Sequence, residues 1–136
     1  MADQVPRPLP MTEDEDTSGY WQAASEGRLV VQECLSCHAV LHLPKPFCHH
    51  CESWDVGWRE VSGDGTVFSW TVVEHQVHAA FPVPYTIVLV ELVDAPGARL
   101  IGHLDGAPEL TVGQPLRVRF VEPEPGVTVP TWELVS

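Results

Sequence analysis

Four cysteines dominate the chemistry open to this sequence. They fall as Cys34-x2-Cys37 and Cys48-x2-Cys51, with ten residues between the pairs. Each C-x2-C turn presents two sulfurs from a tight knuckle, and two facing knuckles make a tetrahedral four-sulfur site. Zinc suits that geometry, with the softer iron as its competitor. Two disulfides are the other arrangement. They are disfavoured because the start, Met1-Ala2-Asp3-Gln4, lacks the basic-then-apolar pattern of a secretory signal, and a cytosol is reducing. Four thiolates close the coordination shell and leave no open position for water, so the expected role of a zinc ion is structural. A ribbon of roughly 30 residues has too little apolar content to fold alone, so metal binding supplies its folding energy. His38, His49 and His50 stand beside or inside the knuckles and are expected to face solvent.

The rest of the chain offers less. No GxSxG, HExxH or phosphate-cradling glycine loop occurs in it. His75 and His78 end a long strand-like run, and the loop Ala79-Ala-Phe81-Pro-Val-Pro84 follows. Such a loop could line a ligand groove with His75, His78 and Phe81, served by Arg99, Arg117 or Arg119. Packing of the same loop over a barrel mouth or on a partner is the plainer expectation. Trp54, Trp58, Trp70 and Trp132 could stack on bases, but core or interface packing is expected with so few cations beside them.

The elements that must position these residues follow from pattern and composition. A chain of 136 residues buries roughly 68% of its unfolded surface, enough for one real core. Hydrophobic residues at 44% exclude disorder throughout the chain. No apolar run approaches the ~20 residues of a membrane span, and the expectation is a soluble, cytoplasmic protein. Seven Lys+Arg against 19 Asp+Glu give a net charge of −12, a poor start for neutralising phosphates of DNA or RNA. Residues 1–16 carry three prolines and the acidic run Glu13-Asp14-Glu15-Asp16. They read as a disordered tail or as an arm ordered on a partner. Residues 17–27 read as a short helix capped by Thr17-Ser18 and ended by Gly27, too short to stand alone. Its Tyr20 and Trp21 are therefore expected to dock, on this chain or on another.

From Arg28 the period becomes that of strands. Residues 28–62 make the metal ribbon, with strands at Arg28–Glu33 and Val56–Val61. Residues 63–136 follow with runs at Thr66–Val77, Tyr85–Val93, Arg99–Leu104, Pro115–Glu122 and Thr131–Val135. In Leu116-Arg117-Val118-Arg119-Phe120 the apolar side chains take one face and both arginines the other. Five short strands suggest a small barrel, with the OB-fold as the leading example. The fold class is mainly β: a short N-terminal helix, a zinc ribbon and a C-terminal five-stranded OB-fold barrel.

Together these residues resemble a known family, formerly a domain of unknown function. Its members join a short helix, a rubredoxin-like zinc ribbon and an OB-fold. The resemblance covers about residues 18–135 and rests on order and spacing. It includes Gly19-Tyr20-Trp21 through Glu26-Gly27-Arg28-Leu29, both knuckles with Pro44 and Pro46 between them, and Ser62-Gly63-Asp64-Gly65-Thr66-Val67. Pro84-Tyr85 before Val88-Leu89-Val90-Glu91-Leu92, and Gly113-Gln114-Pro115-Leu116-Arg117-Val118, continue it. The family usually has glycine after each knuckle, where φ > 0 is favoured, and here His38 and Glu52 stand there. The resemblance implies a non-catalytic accessory subunit of a thiolase-like acyl-CoA enzyme, a thiolase or an aldolase of steroid side-chain degradation. It places helix and ribbon on the partner and the OB-fold near the CoA entrance. An acyl-CoA hydratase as partner and a free-standing acyl-CoA-binding module are the alternatives, with single-stranded nucleic-acid binding a more distant one.

Overall fold

The computed structural model describes residues 6–135. Residues 6–16 contain turns but neither helix nor strand. Helix α1 spans Ser18–Ser25. The Thr17 hydroxyl does not cap it: it donates to Asp14 Oδ2 at 3.1 Å, fixing the preceding turn instead. The C-terminal stop is as expected. Gly27 takes φ 75° and Arg28 N–H donates to the Ala23 carbonyl at 2.9 Å, satisfying a helix-end acceptor. The helix buries Ala23 and Ala24 against the body of the protein.

Strands β1 (Leu29–Cys34), β2 (Val40–Leu41) and β3 (Val56–Val61) form an antiparallel sheet in the order β2-β1-β3. The five-stranded antiparallel sheet holds β4 (Asp64–Val73), β5 (Tyr85–Leu92), β6 (Arg99–Asp105), β7 (Pro115–Glu124) and β8 (Val127–Leu134). Its order is β6-β5-β4-β7-β8, and the edge strands β6 and β8 lie against each other, so the sheet curls into the OB-fold. A bulge at Phe68 shifts the register of β4 on β5 between Val67 and Ser69.

The two sheets share one core. Leu29, Val31 and Val61 of the ribbon strands pack with Val67, Val88, Val90, Leu92, Leu100, Leu104, Leu116 and Trp132. Strand β1 is buried on both faces, which explains its nearly continuous apolar run. The metal-proximal end of the ribbon has a separate small cluster: Cys34, Leu41 and Cys48.

Two strand expectations need correction. The first barrel strand ends at Val73 rather than Val77, because its partner β5 begins at Tyr85, opposite Val73. Residues 74–84 then form a connecting loop. The last strand begins at Val127, not Thr131, since Gly126 at φ 87° permits a tight hairpin. Pro130 sits inside β8, opposite Phe120, and is tolerated because β8 is an edge strand.

Trp132, only 4% exposed, closes the core beside β6. A Cβ on Gly102 would overlap its indole Cδ1. Gly102→Ala should therefore destabilise the fold by about 1–3 kcal/mol, read as a lower calorimetric midpoint. An unchanged midpoint would show that β6 has slack at this position.

Candidate metal centre and flanking surfaces

The two knuckles are built alike. Cys34 N–H donates to Ala39 O at 2.9 Å and Cys48 N–H donates to Ser53 O at 2.8 Å. His38 N–H and Glu52 N–H return to the Cys34 and Cys48 carbonyls at 2.9 and 2.8 Å. Closing each turn this way puts His38 and Glu52 in the left-handed region, both at φ 64°. The chain thus uses non-glycine residues where the geometry favours glycine. A hydrogen bond of 2.8 Å between the Ser36 and Ser53 hydroxyls ties one knuckle to the other.

These turns bring all four sulfurs within 4.8 Å of one another. Cys34 Sγ lies 3.6 Å from Cys51 Sγ, and Cys37 Sγ lies 3.6 Å from Cys48 Sγ. A regular tetrahedron of zinc–sulfur bonds has sulfur–sulfur edges of about 3.8 Å, so the set fits the ion. Cys34 and Cys48 are fully buried, whereas Cys37 and Cys51 face solvent. Backbone N–H groups also serve the sulfurs: Cys37 N–H reaches Cys34 Sγ at 3.4 Å and His50 N–H reaches Cys48 Sγ at 3.3 Å. The Cys37 N–H is the main reason the Cys34 thiol is lowered to about 6. Four thiolates around a dication take the charge of −12 to about −14. The arrangement is a structural zinc site, with no ligand position left for chemistry. His38, His49 and His50 are exposed. His38 Nδ1 meets Glu33 Oε1 at 3.2 Å, and Lys45 Nζ meets His49 Nδ1 at 3.2 Å.

An apolar groove of about 450 Å³ runs between α1, the ribbon and strands β5 and β6. Trp21, Leu43, Trp58 and Ile101 are among its walls, and Leu43 and Ile101 are largely exposed. Tyr20 also lines it while packing on the protein's own core, and burial pushes its phenol to about 12. Gln32 and His42, which sequence reasoning did not single out, line the same groove. Gln32 is buried and its side-chain oxygen accepts from Lys45 N–H at 2.8 Å. Only the place of Gln32 on β1 and of His42 just after β2 brings them there, and no local motif announces that.

The ligand candidates do not form one site. Arg99 stacks on Phe68, 3.8 Å from the ring centroid, and borders the apolar groove. Arg117 pairs with Asp64 at 3.3 Å on β4. His75 is exposed in the 74–84 loop. His78 meets Phe81 edge-on at 5.8 Å, and Phe81 lines a second cavity together with Arg119. Trp54, 73% exposed, lies over Phe47 at the ribbon tip, while Trp132 is core. No helix among the described residues is long and apolar enough to cross a membrane.

Comparison with known proteins agrees with this geometry. Residues 21–56 match the model of the ChsH2 rubredoxin-like zinc ribbon domain, and residues 58–121 match that of the ChsH2 C-terminal OB-fold domain. A solved structure described as "Ltp2-ChsH2(DUF35) aldolase" superposes with a TM-score of 0.82 at 35% identity, covering 94% of this chain and 98% of that one. The Thermomonospora curvata protein named "Probable enoyl-CoA hydratase alpha subunit" is 38% identical over 93% of this chain. The "3-oxo-4,17-pregnadiene-20-carboxyl-CoA hydratase alpha subunit" of Mycobacterium tuberculosis is 30% identical over 89% of it. This chain spans only 39% and 37% of those two proteins.

Two outcomes test the metal centre. Cys48→Ser removes a buried ligand, so bound zinc should fall from one per chain to near none and the ribbon should lose its folded signal. Full zinc retention would contradict the four-thiolate set. Glu52→Gly relieves a left-handed residue that makes no side-chain hydrogen bond or ion pair among the described residues. Relief of about 1 kcal/mol should raise the melting temperature by about 3 °C, and an unchanged or lower value would show the turn to be unstrained.

Proposed function

The chain belongs to the ChsH2 (DUF35) family of zinc-ribbon and OB-fold proteins, and from that premise we propose that it is an accessory subunit of a thiolase-like acyl-CoA enzyme. The observation that carries this reading is the match along nearly the whole length of a chain from an aldolase described as Ltp2-ChsH2(DUF35). In this reading the partner carries out carbon–carbon bond cleavage on a CoA thioester, of the steroid side-chain type. The present chain contributes shape: a zinc-fixed ribbon, a helix and an OB-fold near the CoA entrance.

The sites support that division of labour. The metal centre has four thiolate donors and no vacant position, so it can hold a fold but not polarise a substrate. The groove at the helix–ribbon–sheet junction, with Trp21 and exposed Leu43 and Ile101 on its walls, offers apolar surface of the kind an obligate partner covers. Trp21 makes the partner contact, and Tyr20 holds the helix to the core behind it.

A second reading has its own support. Two relatives are named hydratase alpha subunits, and this chain spans less than two-fifths of each. An acyl-CoA hydratase is accordingly the alternative partner.

Co-expression separates the two. The zinc-loaded chain should co-purify with a thiolase-like aldolase subunit and restore its retro-aldol activity on a β-hydroxyacyl-CoA. Trp21→Ala should weaken that complex about tenfold or more, as loss of a buried aromatic anchor does. A partner equally soluble and active without this chain would refute the accessory role, and association with a hydratase instead would favour the second reading.

A further inference from the structure

Most arginines of this protein are held in ion pairs among the described residues. Arg28 meets Glu26, Arg59 meets Glu33, Arg99 meets Glu91 and Arg117 meets Asp64. Arg7 is different. In a chain with 19 acidic side chains, its guanidinium has no carboxylate partner among the described residues and lies over the Phe81 ring, 5.3 Å from the centroid. Arg119 has the loosest pair, 3.8 Å to Glu133. Both arginines line one small cavity of about 190 Å³.

That cavity sits at the seam where β6 and β8 meet without a backbone ladder. The seam is bridged by the Thr131 hydroxyl, which donates to the His103 carbonyl at 3.2 Å. Edge strands leave backbone donors free along such a seam. His103 stacks on Tyr85 at 5.1 Å with ring planes 13° apart, and Phe81 flanks it at 6.1 Å. Asp105 meets His103 Nε2 at 3.2 Å, with its own side chain fully exposed. The lining therefore holds two guanidiniums and one carboxylate, with Glu133 beside Arg119 outside it. Burial keeps the His103 imidazole below its usual pKa, so it serves as a neutral hydrogen-bonding group. Stacking on Phe81 leaves the N–H edges of Arg7 free to donate.

We propose that Arg7, His103 and Arg119 form a binding site for a tetrahedral phosphate dianion, with the Phe81 ring as its apolar wall. Two forks approaching from different segments suit an anion that accepts on several oxygens at once. Arg7 belongs to the N-terminal segment, so the ligand ties that segment to the sheet. The site stands on this chain alone and goes beyond the accessory role, whose failure would leave it untouched.

The test uses the full zinc-loaded chain titrated with inorganic phosphate by calorimetry at fixed ionic strength. One saturable site is expected, and Arg7→Gln or Arg119→Gln should each weaken it about tenfold. Arg28→Gln, in a remote surface pair, should bind like the parent. A parallel titration with phenyl phosphate separates two sources of the same chemistry. Tighter binding than phosphate assigns the site to an organic monoester whose ester group packs on the Phe81 ring, and equal or weaker binding assigns it to the free ion. No saturable binding of either anion, or equal binding by both arginine variants and the parent, would overturn the proposal.

Discussion

The coordination of four thiolates by one ion is the constraint on which the outer half of this molecule depends. Beyond Cys34 and Val56 the ribbon's own buried cluster amounts to Cys34, Leu41 and Cys48. Two of these three are ligands, so the metal site and the local core are the same object. No apolar burial of that size offsets the conformational entropy of the loops around it. Metal–sulfur bonds have to supply the difference. The inner half of the ribbon is held otherwise, because β1 and β3 send Leu29, Val31 and Val61 into the core of the five-stranded sheet. One pair of strands is thus pinned by metal at one end and by hydrophobic burial at the other. The groove between helix, ribbon and sheet keeps its shape because both ends are fixed.

This arrangement also explains why the two family models divide the chain at residues 56–58 while the core does not divide there. The ribbon is a unit of sequence and of metal binding. As a unit of packing it is an extension of the OB-fold. Changes in metal occupancy would therefore be felt in the ribbon wall of the groove, at Leu43 and Pro44, more than in the helix that packs on the main core.

Much of this was legible in the residues. The knuckles were, because spacing alone constrains how four sulfurs can converge. Strands β5 and β7 were, through alternation and the turns that bound them. Strand β8 begins at Val127, four residues before the expected Thr131, and its place at the sheet edge makes Pro130 within it harmless. The opposite error lengthened β4: Val73-Glu74-His75-Gln76-Val77 keeps a strand-like pattern, but nothing pairs with it beyond Val73. Two-residue β2 carries no periodic signal at all. The cavity holding Arg7 and Arg119 was hidden for a further reason. It joins residues more than a hundred positions apart, and a tail read as disordered or as an arm ordered on a partner gave no hint of an arginine resting on Phe81.

The central claim is that the metal is a structural element with a closed shell, and X-ray absorption at the zinc edge addresses it most directly. Spectra of the isolated chain and of its complex with the partner should both show four sulfur scatterers at about 2.3 Å and no lighter ligand. A nitrogen or oxygen scatterer entering the shell in either state would contradict the account, because it would mark an open position able to take part in chemistry.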